Sequence, residues 1–101
     1  MKLKFLKTGG FAGINFGCDL DTEKLSRPEA DELLGLVKQA ALVKTGSKQS
    51  SDARDLMNYE IVVEDEGKKT RVVFDDMTVP ARVQALLDFL SRRSKAIPLD
   101  K

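Results

Sequence analysis

Histidine is absent from this chain of 101 residues. That removes the commonest general base, the commonest metal ligand and the usual switch near neutral pH. Cysteine occurs once, at Cys18, so no internal disulfide can form. Charge of one sign is missing as well. The chain has 17 Lys and Arg against 16 Asp and Glu, a formal net charge of +1. No global field draws such a chain to nucleic acid or to an anionic membrane. Long apolar runs are lacking too. The opening MKLKFLK alternates lysine with apolar residues, unlike a signal peptide, and no later run reaches bilayer length. A cytoplasmic location is the expectation, with no membrane partner. An enzyme built on this chain would have only carboxylates or lysines to work with, so no catalytic residue, metal or cofactor is expected.

What is present reads as alternating short patterns. In residues 2–7, Leu3 and Phe5 share one face and Lys2 and Lys4 the other, a strand with one dry side. Thr8, Gly9 and Gly10 signal a turn. Residues 12–20 read as a second strand, completing a hairpin, and Gly17 within it suggests a bulge or a close backbone approach. The SRPE stretch, Ser26 to Glu29, starts a helix. Ser26 can cap it, Glu29 completes a capping box, and Pro28 is tolerated in the first turn. Leu33, Leu34, Val37, Ala40 and Ala41 form its apolar stripe, and the helix is expected to reach about Val43. The polar stretch 44–53, KTGSKQSSDA, reads as a mobile loop. Met57, Tyr59, Ile61 and Val63 then alternate with polar residues. The chain turns at Glu66-Gly67, and Thr70, Val72 and Phe74 point inward from a fourth strand. Thr78 reads as the cap of a second helix near 79–95, with the stripe Val79, Val83, Leu86, Leu87 and Leu90. Pro98 ends it, leaving 96–101 as a C-terminal tail.

The expected architecture is a single α+β domain over residues 1–101. Two hairpins and two one-sided helices give a two-layer ββαββα order, a four-stranded antiparallel sheet with both helices on one face.

Several stretches invite a chemical reading. GGFAG lacks the Lys-Ser/Thr ending of a phosphate loop and joins two strands rather than a strand and a helix. Asp19, Asp21 and Glu23 alternate like part of a calcium loop, without its central glycine or distal glutamate. Asp75-Asp76 are expected to stabilise the start of the second helix. Cys18 shares the parity of Ile14 and Phe16 and is expected in the core. Lys2, Lys4, Lys69 and Arg71 define an alternative function, a nucleic-acid-binding or adaptor module with a basic sheet face. However, Phe5, Tyr59 and Phe74 fall on the other face, where bases cannot stack. Phe11 is the residue out of step. It is odd where Ile14, Phe16, Cys18 and Leu20 are even, and glycines flank it on both sides. Such a ring either folds over the sheet edge or is presented to a partner.

KTGGFAG near the start, ARDLMNYEIVVED, and VFDDMTVPARVQALLDFL occur here in an order and spacing that resemble emfourin. The resemblance runs from Met1 to about Arg93. It implies a bacterial protein inhibitor of thermolysin-like metallopeptidases such as protealysin. It also implies a peptidase partner in a 1:1 complex, with a monomer when free. Two segments are candidates to enter the enzyme's cleft. One is the loop Gly9, Gly10, Phe11, Ala12 and Gly13, with Phe11 as apolar anchor. The other is the N-terminus, Met1 and Lys2, with an apolar side chain and a free amine.

Overall fold

The computed structural model describes residues 1–9, 15–47 and 56–97. Strand β1 (Lys2–Gly9) is followed by β2 (Asn15–Asp21) and helix α1 (Arg27–Ala40). A single helical turn, α2 (Leu42–Thr45), precedes β3 (Met57–Asp65) and β4 (Lys68–Asp75). Helix α3 (Ala81–Arg92) and β5 (Lys95–Ile97) complete the order. The sheet is antiparallel throughout, with strand order β4-β3-β1-β2-β5. It has five strands among the described residues, not the four expected. Lys95–Ile97 pairs with Asn15–Gly17, so two residues assigned to the tail belong to the sheet. Three residues are too few to show a period, which is why the sequence hides this strand.

Alternation selects the dry face. Leu3 and Phe5 of β1, Ile61 and Val63 of β3, and Val72 and Phe74 of β4 are buried on it. Cys18 and Leu20 stand opposite Phe5 and Leu3 and are partly buried on the same side. Against this face lie Leu33 and Ala40 of α1, Leu42 of α2, and Val83, Leu86, Leu87, Phe89 and Leu90 of α3. Phe5, Phe74 and Phe89 are the largest side chains enclosed. Burying each contributes about 1.5–3 kcal/mol, so these three rings carry much of a core this small. The α1 stripe is narrower than expected, because Leu34 stays 43% exposed.

Local chemistry explains most boundaries. Ser26 Oγ accepts the Glu29 N–H at 3.4 Å, the N-cap bond of a capping box, and its hydroxyl donates to Glu29 Oε1 at 3.1 Å. Between β3 and β4, Glu66 and Gly67 both have positive φ, 51° and 81°, the geometry that matches hairpin twist. Gly17 makes no bulge. The pairing of β1 with β2 and of β2 with β5 runs through it without a skipped residue.

Two boundaries differ from the sequence reading. First, α1 ends at Ala40, because Ala41 takes a left-handed conformation (φ 48°, ψ 55°). That swing buries Leu42, and the Thr45 hydroxyl donates to the Ala40 carbonyl at 2.9 Å. Lys44 and Thr45 therefore belong to a helical turn, while residues 48–53 of the expected loop lie outside the described residues. Second, α3 starts at Ala81 with Pro80 at the cap, without a side-chain cap bond, and it ends at Arg92. Thr78 bonds Asp75 instead. The second strand is described over Asn15–Asp21, and residues 12–14 of the expected strand lie outside the described residues.

Candidate functional site

The two segments expected to meet a partner lie at opposite ends of β1. Eight residues at a rise of about 3.3 Å separate them by roughly 25 Å.

At the far end, Met1 is tied into the fold. Its amine donates to Thr22 Oγ1 at 3.1 Å. Its carbonyl accepts the Thr22 N–H at 2.9 Å and the Thr22 hydroxyl at 3.3 Å. Its side chain is partly buried against the core. Lys2 is exposed on the open face of the sheet, between Asp21 and Glu64 in the neighbouring strands.

At the loop end, Gly9 pairs with Met57 and has φ 107°. A Cβ placed there would sit 2.6 Å from the Leu56 carbonyl oxygen. Only glycine fits both the torsion and the space. Gly10, Phe11, Ala12 and Gly13 lie outside the described residues.

The end of the sheet beside Gly9 is braced by polar groups. Asp76 Oδ2 accepts the Met57 N–H at 3.0 Å, and the Asp76 N–H donates to the Met57 carbonyl at 3.2 Å. The Tyr59 hydroxyl donates to Asp76 Oδ1. Partial burial, then the bond to Asp76 and its negative charge, push the Tyr59 phenol up to about 12. The Tyr59 ring stacks near Phe5, with centroids 6.4 Å apart, and Lys7 Nζ lies 5.8 Å from its centre. Lys7, Tyr59, Asp76, Gln84, Asp88 and Ser91 line a polar hollow of about 260 Å³ between sheet and α3. Phe16 stands opposite Lys7 at the same end and is 36% exposed.

Asp75 and Asp76 do not serve the helix start assigned to them. Asp75 is fully buried, and its Oδ1 accepts the Met77 N–H at 2.9 Å and the Thr78 hydroxyl at 3.1 Å. The Asp75 carboxylate is bonded into the turn before α3 and the Asp76 carboxylate to β3, so the two tie the turn to the sheet. Sequence reading passed over Met77, which this turn holds 76% exposed. An isolated methionine between polar residues carries no periodic signal, and only the fold shows where it projects.

The open face of the sheet is not basic. Across the strands one row reads Asp21, Lys2, Glu64, Lys69, and the next reads Asp19, Lys4, Val62, Arg71. Arg71 also pairs with Glu60. Each of these four cations has an anion beside it, so the two rows offer no stripe of positive potential to a phosphate backbone. Asp21 makes a turn as well, its Oδ1 accepting the Glu23 N–H at 3.0 Å. Among the described residues, no three of His, Cys, Asp and Glu are grouped to hold a metal. Cys18 is half-buried rather than fully enclosed. Its thiol donates to the Leu90 carbonyl at 3.7 Å, and burial pushes its pKa up, away from nucleophilic use. No helix among the described residues is long and apolar enough to cross a membrane.

The described residues thus form an α+β domain in which an antiparallel sheet is braced at the Gly9 end and covered by helices on one face. The chain belongs to the emfourin family, whose model matches residues 5–91. Emfourin is an inhibitor family directed at metallopeptidases. No curated protein and no solved structure matches the chain.

Proposed function

We propose that this protein inhibits thermolysin-like zinc metallopeptidases, as a monomer in a 1:1 complex, by seating the Gly9–Gly13 end of its sheet in the substrate cleft. The observation that carries the class is the family match over residues 5–91. The choice of end rests on the contrast between the two termini of β1. For the N-terminus to enter a cleft, Met1 would have to surrender three hydrogen bonds to Thr22 and leave the core. At the other end, Gly9 stands on a strand end that Asp76 fixes through Met57.

The physical scheme needs no metal of the inhibitor's own. The catalytic zinc is the enzyme's, held by three protein ligands with one position open to water or substrate. Phe11 supplies an apolar side chain for the pocket next to the scissile position. The glycines around it let the backbone approach closely. A strand end held by the sheet loses little freedom on binding, which saves ordering entropy. A backbone held off the line of attack of the zinc-bound water is cleaved slowly.

The test is a titration into thermolysin or protealysin acting on a small peptide substrate. Activity should fall linearly to a 1:1 endpoint. Phe11→Ala should weaken inhibition roughly ten- to a hundredfold, the worth of one buried aromatic ring. A one- or two-residue extension before Met1 should leave inhibition intact. If the extension abolishes inhibition while Phe11→Ala does not, the N-terminus is the working element.

A further inference from the structure

The turn between β4 and α3 brings a second apolar side chain to the loop end. Both β1 and β4 are antiparallel to β3, so their C-terminal ends lie together. Thr8, Asn58 and Asp75 share one cross-strand row, and Asp76 bonds Met57, the partner of Gly9. Two inter-strand steps of about 4.8 Å put Asp76 roughly 10 Å from Gly9.

Met77 follows Asp76 and is 76% exposed. Its surroundings are fixed on both sides. The Met77 N–H is held by buried Asp75, the Thr78 N–H donates to the Asp75 carbonyl at 3.0 Å, and Asp76 is held by Tyr59 and Met57. The turn is thus rigid, and the one apolar side chain it carries has no use inside. A lone exposed apolar residue is ordinary on a protein surface. Met77 stands out because its backbone is pinned and its place is beside the proposed binding loop.

We propose that Met77 is a second apolar anchor, received by an apolar pocket of the inhibited peptidase next to its cleft. The inference rests on the inhibitor reading and adds a specificity-determining residue to it. Methionine suits such a role, being unbranched, polarisable and able to fill an irregular pocket. Val43 provides the internal comparison. It is 80% exposed on α2, at the opposite end of the sheet, beside Val63 and Thr70 in the row of Leu3.

The experiment compares wild type, Met77→Ala, Met77→Asp and Val43→Asp by inhibition of thermolysin on a peptide substrate, with melting temperatures alongside. Met77→Ala should inhibit about tenfold less tightly, and Met77→Asp, which would bury a charge, about a hundredfold less. Val43→Asp should stay within about twofold of wild type, and all four should melt together, because both sites are exposed. If wild type inhibits and Met77→Asp inhibits equally well, Met77 is not an anchor and the inhibitor reading survives. A loss confined to Val43→Asp would likewise overturn the inference and move the contact to the far end. If wild type inhibits no thermolysin-like enzyme, both readings fall.

Discussion

Tyr59 is the residue through which the loop end can be followed in solution. It is the chain's single tyrosine. Its hydroxyl donates to Asp76, which also holds the Met57 N–H, so one carboxylate joins β3 to the turn carrying Met77. A phenol that keeps its proton longer in the folded state stabilises the fold while protonated. That contribution is complete below the unfolded pKa of about 10 and is lost as pH rises through the folded value. The folded value stands at about 12. Phenolate absorbance should therefore rise well above pH 10 in the native protein and near about pH 10 in denaturant. Coincident curves would mean that the bond to Asp76 does not persist in solution.

Between elements, the contact to watch is Arg93, just past α3. Its guanidinium donates to Glu29 Oε2 at 2.8 Å and to the Phe89 carbonyl at 3.3 Å, and it lies 3.7 Å above the Phe89 ring centre. It thereby joins the C-terminal end of α3 to the capping box of α1. Arg93, and then Ser26, hold the Glu29 carboxyl below its ordinary range. A lowered carboxylate pKa stabilises above the unfolded value and loses its effect as pH falls through the folded one. Wild type should lose stability below about pH 4.3, the ordinary glutamate value, more steeply than Arg93→Ala. Denaturant melts at neutral and acid pH check this. If the two proteins keep a constant difference between them, the pair contributes nothing.

Legibility at this scale followed from whether a signal is local. Ser26 and Glu29 lie three residues apart and their bond follows from spacing alone, as does the turn at Glu66 and Gly67. The break at Ala41 had no such signal. No glycine or proline stands there, and alanine adopts a left-handed torsion because burial of Leu42 and the bond from Thr45 offset its cost of about 1–2 kcal/mol. Thr78 was misassigned for a related reason. A threonine just before a helical stripe can cap the helix or close a turn, and buried Asp75 decides the matter from the strand before it.

At the scale of the whole molecule, the α+β order and the dry face were legible because alternation and helical period agree along most of the chain. The fifth strand was not, since Lys95–Ile97 is recognisable only once β2 offers it an edge. Of the candidate site, the need for glycine at Gly9 was legible. The fixing of Met1 by Thr22 was not, because it joins positions far apart in sequence. The inhibitor reading also fixes where the metal belongs. Protein treated with chelator and then dialysed should inhibit with full stoichiometry, since a chain with no histidine and one thiol supplies few of the donors that zinc prefers. Activity lost by that treatment and restored by metal would contradict the scheme.

The position of β1 between β2 and β3 has a consequence during synthesis. The strand leaves the ribosome before β2 and β3 and finds β2 first, across a short connection. Its other edge must wait for residues 57–65. Until then a nascent chain carries an open strand edge with Leu3 and Phe5 on a face that lacks its partners. Such an edge invites pairing with other chains. Completion of the sheet is a long-range event, so folding should be paced by chain closure rather than by formation of any helix.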